Sequence, residues 1–219
     1  MRKFVALGVV AIMVSPAMAS FYVAGSFNGW DPPNGALMTE VVPGSLWQAT
    51  ITGPTGNQEF KVTDGTWTNA WPPNNMQADF GVGVPLTINY RPGPFTDGWV
   101  PNINRVGYND PGLHGWEIMG GFNGWSSPVV TLSNLGGGLY WGQYTVATPG
   151  TNYFKFRKIN DWGVSIGNLA FGGDMDVTTT VANETISFKL DLPNGRIAVP
   201  EPASLALLAL GGLAMLRRR

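Results

Sequence analysis

The sequence predicts an all-β protein built mainly from two tandem antiparallel β-sandwiches, with a signal helix before them and a hydrophobic helix after them. Three observations predict this: an internal repeat of nearly constant spacing, a composition rich in turn-forming residues, and two short apolar stretches at the termini. The expected divisions are a signal peptide at 1–19, a first module at 20–92, a Pro/Gly-rich linker at 93–112, a second module at 113–198 and a tail at 199–219.

The first element opens with the positive Arg2-Lys3 and continues in the apolar run Phe4 to Val14. Ser15-Pro16 breaks that run, and Ala17 and Ala19 place small residues where a signal peptidase inspects the chain. The run is too short to span a bilayer comfortably, so cleavage after Ala19 is expected.

Two copies of one pattern follow. Gly25-Ser26-Phe27-Asn28-Gly29-Trp30 returns as Gly120-Gly121-Phe122-Asn123-Gly124-Trp125 at a shift of 95. Trp47 answers to Trp141, Phe60-Lys61 to Phe154-Lys155 and Trp67 to Trp162, each at a shift of 94 or 95. Landmarks that hold their spacing this closely mark a duplicated structural unit. Alternation of apolar and polar residues predicts strands at 21–24, 46–51, 59–62 and 85–90, then at 116–119, 140–146, 153–157 and 185–190. Trp47, Trp116, Trp141, Phe27, Phe122, Phe60 and Phe154 are expected in the core. Gly29 and Gly124 are expected to supply positive φ in the turn before each Trp. Between the copies, residues 91–114 hold four Pro and four Gly. Residues 99–103 within them read equally as linker or as a last strand of the first module.

The 30 Gly and 17 Pro, with frequent Asn, Thr and Asp, point to many turns and short strands. There are no cysteines, so neither disulfides nor thiolate metal sites hold the fold. Setting aside Arg2, Lys3, the three terminal arginines and Glu201 leaves 8 basic and 13 acidic residues, a net charge near −5. Without a basic run, nucleic acid and anionic membrane surfaces are poor partners.

The last element reads Val199-Pro200-Glu201-Pro202, an apolar run from 203 to 216, and Arg217-Arg218-Arg219. At 14 residues the run is short for a permanent membrane span. The arginines would hold its end on the cytoplasmic side. This order resembles the PEP-CTERM sorting signal of Gram-negative, exopolysaccharide-producing bacteria, with Pro200, Glu201 and Pro202 as the namesake motif. The resemblance implies export, transient membrane insertion through 203–216, anchoring in the inner membrane before processing, an exosortase as partner, and release or transfer to the cell surface. An ordinary tail anchor is the alternative.

Within the modules, Val23 to Asp31, Trp47, Phe60-Lys61-Val62 and Asp64-Gly65-Thr66-Trp67 together resemble the early-set immunoglobulin-like glycogen- and starch-binding modules, including the glycogen-binding domain of AMP-activated kinase β subunits. The resemblance implies an immunoglobulin-like sandwich and a glucan site in each copy. It carries over to Trp30, Lys61 and Trp67 in the first copy and to Trp125, Lys155 and Trp162 in the second, with Asn75 and Asn168 as the nearest counterparts of the family's asparagine. The second copy departs from the pattern, reading Ile159-Asn160-Asp161-Trp162 without the Asp-Gly turn. The residue types suit the chemistry: a pyranose presents C–H bonds on its faces, which a flat indole matches, and hydroxyls on its rim, which amide or ammonium donors match. Each of these Trp residues sits beside turn-forming residues, where aromatics are often left at the surface. The competing expectation is that Trp30 and Trp125 cap the core and that Lys61 and Lys155 are solvated edge lysines.

Catalysis finds little support. The single histidine, His114, stands in the linker, so no Ser-His-Asp arrangement can be built. No pair of carboxylates is marked as facing across a cleft. Asp174 and Asp176, two apart, are a weak calcium signal. No cofactor and no metal are expected. Two functions compete: a non-catalytic surface protein that binds an α-glucan or exopolysaccharide, and a structural envelope or matrix protein that uses the same modules for protein contacts.

Overall fold

Alternation along each strand decides which side is buried. The computed structural model describes residues 20–126, 130–167 and 173–199. The first half contributes β1 (Tyr22–Gly25), β2 (Ala36–Leu37), β3 (Thr39–Val42), β4 (Leu46–Ile51), β5 (Gly56–Thr63), β6 (Ala70–Phe80), β7 (Leu86–Arg91) and β8 (Arg105–Tyr108). The second contributes β9 (Trp116–Gly120), β10 (Val130–Thr131), β11 (Ser133–Asn134), β12 (Leu139–Val146), β13 (Gly150–Lys158), β14 (Asp161–Ile166), β15 (Met175–Thr179), β16 (Glu184–Asp191) and β17 (Arg196–Ala198). In β4, Trp47, Ala49 and Ile51 face inward opposite Tyr90, Ile88 and Leu86 of β7. The only helical turns among the described residues are two short 3-10 turns, Ser26–Asn28 and Gly121–Asn123.

The strands distribute in pairs between neighbouring sheets. β2-β1-β5-β6 form one sheet and β3-β4-β7-β8 the next; β11-β12-β16-β17 form a third, and β10-β9-β13-β14 a fourth, with β15 also paired to β13. All of these pairings are antiparallel. Aromatic residues fill the space between sheets: Phe21 meets Trp47 edge-on at 5.1 Å and Phe154 meets Phe188 at 5.0 Å. Such contacts add roughly 0.5–1.5 kcal/mol each beyond their burial.

Two tandem immunoglobulin-like sandwiches, the expectation from sequence, are not what forms. The four sheets are arranged as a four-bladed, propeller-like ring. The halves meet along two seams. At one, β6 lies against β14: Ser165 N donates to Gln77 Oε1 at 2.9 Å and Lys158 Nζ to Asp79 at 2.7 Å. At the other, Val100 and Ile197 exchange backbone hydrogen bonds of 2.9 and 2.8 Å, and Tyr108 N donates to Leu192 O at 3.0 Å. One apolar core runs from Phe21 in the first half to Ile197 in the second. Local periodicity determines strands and their faces, but the way sheet edges meet depends on contacts far apart in sequence, which the repeat does not encode.

Three finer expectations change as well. Trp141 is only half-buried, and Tyr140 takes the inward position opposite Leu190. β12 is therefore registered one residue away from the sequence match with Trp47, and a one-residue slip exchanges the two faces of a strand. The stretch read as linker carries β8 at 105–108, pairing with β7, while Val100 bridges to Ile197. Phe27 and Phe122 pack against the rim of the core and are not fully enclosed. The signal helix and the hydrophobic helix at 203–216 lie outside the described residues. Among those described, no helix is long and apolar enough to cross a membrane.

Candidate functional site

The Gly-x-Phe-Asn-Gly-Trp segment builds the same turn twice. Gly25 closes β1 so near β5 that a Cβ there would collide with the Glu59 carbonyl; Gly120 is pressed in the same way against the Tyr153 carbonyl. Asn28 then ties the turn to its own strand: Gly25 N donates to Asn28 Oδ1 at 2.8 Å, and Asn28 Nδ2 donates to Val23 O at 3.2 Å. Asn123 repeats both bonds with Gly120 N and Ile118 O at 3.0 and 3.4 Å. Gly29 and Gly124 take φ of 68° and 62°, as the sequence predicts. Trp30 and Trp125 themselves take φ of 60° and 57°, a conformation uncommon for a bulky residue. Trp30 N donates to Gly25 O at 3.0 Å, and Trp125 N to Gly120 O at 2.9 Å, which holds the strained backbone in place.

A second Trp meets each of these. Trp30 and Trp67 lie with ring centroids 6.1 Å apart and planes inclined at 45°; Trp125 and Trp162 repeat this at 6.2 Å and 43°. Trp67 and Trp162 are 47% and 45% exposed, so each pair leaves one indole about half open to solvent, while Trp30 and Trp125 are half-buried.

The supports of the exposed rings differ. Trp67 sits in a loop shaped by Asp64, whose Oδ1 accepts from Thr66 N at 3.0 Å and from Thr66 Oγ1 at 2.7 Å. Asn69 Nδ2 donates to the other carboxylate oxygen at 2.7 Å. The Thr66 hydroxyl and the Asn69 amide together hold the Asp64 carboxyl below its ordinary pKa. Trp162 stands at the start of β14, inside a tighter turn in which Gly163 N donates to Asp161 Oδ1 at 2.7 Å. The Arg157 guanidinium lies over its ring, 4.5 Å from the centroid, and Arg157 Nε donates to the buried Glu117. Asn160 N donates to the same carboxylate at 3.0 Å. Nothing in the sequence around Arg157 singled it out; the pattern of alternating aromatic and basic residues from 153 to 158 was its only mark.

The remaining site residues predicted from sequence are directed elsewhere. Lys61 Nζ donates to the Pro73 carbonyl in β6, and burial pushes its pKa down. Lys155 pairs with Asp174 at 3.3 Å. Asn75 Nδ2 donates to Glu59 at 2.8 Å. Asn75 and Lys155, from opposite halves, line one cleft of about 300 Å³ at the β6–β14 seam. Asn168, Ala17, Ala19, Pro200, Glu201, Pro202 and Arg217 to Arg219 lie outside the described residues. Among those described, no group of three or more His, Asp or Glu side chains is placed to hold a metal ion.

Comparison with known proteins adds one assignment and one distant likeness. No curated protein matches the chain. Among solved structures, SusF from Bacteroides thetaiotaomicron aligns at 17% identity with a TM-score of 0.35, over 86% of this chain and 50% of that one. The chain thus spans half the length of SusF, and a likeness this loose carries no argument about fold or function. Residues 198–219 match the PEP-CTERM protein-sorting motif, which marks an exported, surface-sorted protein and implies processing by an exosortase.

Proposed function

We propose that this protein is a non-catalytic binder of neutral polysaccharide, an α-glucan foremost, displayed at the surface of a Gram-negative cell. The observation that carries this reading is the Trp pair built twice with the same spacing and inclination from dissimilar flanking residues. Mutual packing would be satisfied by burying both rings, yet one ring of each pair is left almost half exposed. Two inclined indoles suit a chain whose successive sugar faces turn relative to one another, and stiff Trp side chains lose little entropy on stacking. The acidic balance of the mature chain disfavours polyanionic partners and leaves neutral sugars as the better match. Signal peptidase removes 1–19, the segment 203–216 inserts transiently in the inner membrane, and exosortase acts near Pro200-Glu201-Pro202.

Two stacked rings, less the ordering of a flexible sugar, correspond to Kd values of roughly 0.1 mM to several mM per pair. Two pairs on one chain raise retention on a long polymer by about 10²-fold where both engage. Affinity electrophoresis in gels containing glycogen or amylose tests this. The wild type is expected to be retarded, Trp67→Ala and Trp162→Ala each to lose most of the retardation, and the melts of both variants to stay within about 1 kcal/mol. Absence of retardation in any α-glucan, with surface location intact, would leave a structural envelope protein as the better reading.

A further inference from the structure

The cleft of about 300 Å³ between β6 and β14 draws its walls from both halves: Glu59, Asn75 and Gln77 from the first, Lys155 and Ser165 from the second. Its polar groups are held in place by one another. Asn75 Nδ2 donates to Glu59 Oε2 at 2.8 Å, Gln77 Nε2 to Glu59 Oε1 at 2.9 Å, and Ser165 N to Gln77 Oε1 at 2.9 Å. A hydrogen-bonded rail thus crosses from β14 through β6 to β5, so the groups need little rearrangement to receive a ligand.

Bonding capacity is left over. Each amide NH₂ has two donors, and Asn75 and Gln77 each use one on Glu59. The Lys155 ammonium has three donors and one ion-pair partner, Asp174. Glu59 and Asp174 carry two negative charges against one positive charge on Lys155, so the cleft disfavours anions, and the buried Met76 adds apolar surface. Donors and acceptors together, with no surplus of positive charge, match a polyhydroxylated neutral ligand. A free acid or phosphate would face the Glu59 carboxylate, and a nucleobase would find no aromatic wall. The volume sits at the lower end of small-molecule pockets, with room for about one or two pyranose rings. The strands that wall the cleft are tied to the exposed Trp residues: β6 begins three residues after Trp67, and β14 contains Trp162.

We propose that this seam cleft is a third sugar subsite, completed only when the two halves dock, which takes one or two hexose units through hydroxyl contacts with Asn75, Gln77 and Lys155. The proposal rests on the glycan reading above. Its test is a titration of the mature chain with maltotriose, followed in ¹H–¹⁵N spectra through the side-chain amides of Asn75 and Gln77 and the indole N–H signals. Both amides are expected to shift with sugar concentration, in the wild type and in Trp67→Ala/Trp162→Ala alike. The pair Asn75→Ala/Lys155→Met is expected to weaken the cleft's response about tenfold. Shifts confined to the indoles, with both amides unmoved in the wild type, would overturn the subsite and leave the glycan reading standing. No shift at any of these signals would overturn both.

Discussion

The two halves reach the same Trp pair by different routes. In the first, an Asx turn at Asp64 precedes Trp67 in a loop; in the second, an Asx turn at Asp161 brackets Trp162 at the start of β14, and Arg157 anchored on Glu117 lies over its ring. What they share is the Gly-x-Phe-Asn-Gly-Trp turn, with the same two asparagine bonds and the same left-handed backbone. The shared turn thus sets Trp30 and Trp125, and the second Trp is delivered by whatever loop is at hand. The halves also differ beside the seam. β6 is a single strand of 11 residues whose pairing with β5 skips 72–75, whereas its counterpart partners on β13 are two separate strands, β14 and β15.

The sharpest way to break this comparison is to cut it. A fragment of residues 20–92 lacks β8, whose Val106 and Tyr108 are each only 1% exposed. It is expected to show no cooperative melt, while 20–112, which restores β8, regains one; circular dichroism during heating distinguishes them. A cooperative melt of both fragments would show that β8 adds nothing to the first half, and a cooperative melt of neither that the first half needs the second to close its core.

Next in size is the register of β12. Trp116, fully buried, should cost about 3–5 kcal/mol on truncation to Ala, as large core deletions do. Trp141→Ala, on the outer face, should cost under about 1 kcal/mol. Urea denaturation of the two variants measures the gap, and a large loss at Trp141 would contradict the one-residue slip. Only strand pairing reveals that slip. The sequence match of Trp47 with Trp141 is correct letter by letter, yet Tyr140 is the residue opposite Leu190.

A smaller effect tests the shared turn. Asn28→Ala and Asn123→Ala each remove bonds to a strand end, at about 1–3 kcal/mol. Asn123, buried, is expected to cost more than Asn28. Both variants should loosen the Trp pair of their own half alone, seen as changed near-ultraviolet circular dichroism. A change in neither would remove the turn as the common cause.

The smallest effect belongs to His114, which has no counterpart histidine in the first half. Burial chiefly holds its pKa below the ordinary 6.5, with Lys158 adding to the shift, while Asp110 and Asp79 oppose it. Asp161 also opposes it, and Asp79 lies 3.8 Å from Nδ1. As pH falls, the unfolded chain takes up this proton before the folded one. Its contribution to stability is therefore full above about pH 6.5 and declines as pH falls through that value toward the folded pKa. Urea midpoints at pH 7.5, 6.5 and 5.5 should fall in the wild type, and His114→Gln should flatten this part of the slope.

By itself, the sequence determined what short-range physics controls. Alternation located eight strands close to their observed places, the repeat paired Trp30 with Trp125 and Trp67 with Trp162, and Gly29 and Gly124 declared their left-handed backbone. The apolar run and arginines behind Pro200-Glu201-Pro202 were legible for the same reason, since a sorting signal is read as a linear segment. Tertiary structure decided the rest. β6, β8 and β14 were missed because their Pro, Asn or Gly residues read as turns, and β15 because Asp174-Met175-Asp176 reads as a solvated loop; pairing with β5, β7 and β13 makes them strands. Lys61 was drawn to a carbonyl in β6, and Asn75 and Lys155 were brought to one cleft, by strands from different parts of the chain. The closing of four sheets into a ring depends on which edges meet at the two seams. Those contacts join residues 77 with 165 and 100 with 197, and no local pattern at either end of such a pair specifies the other.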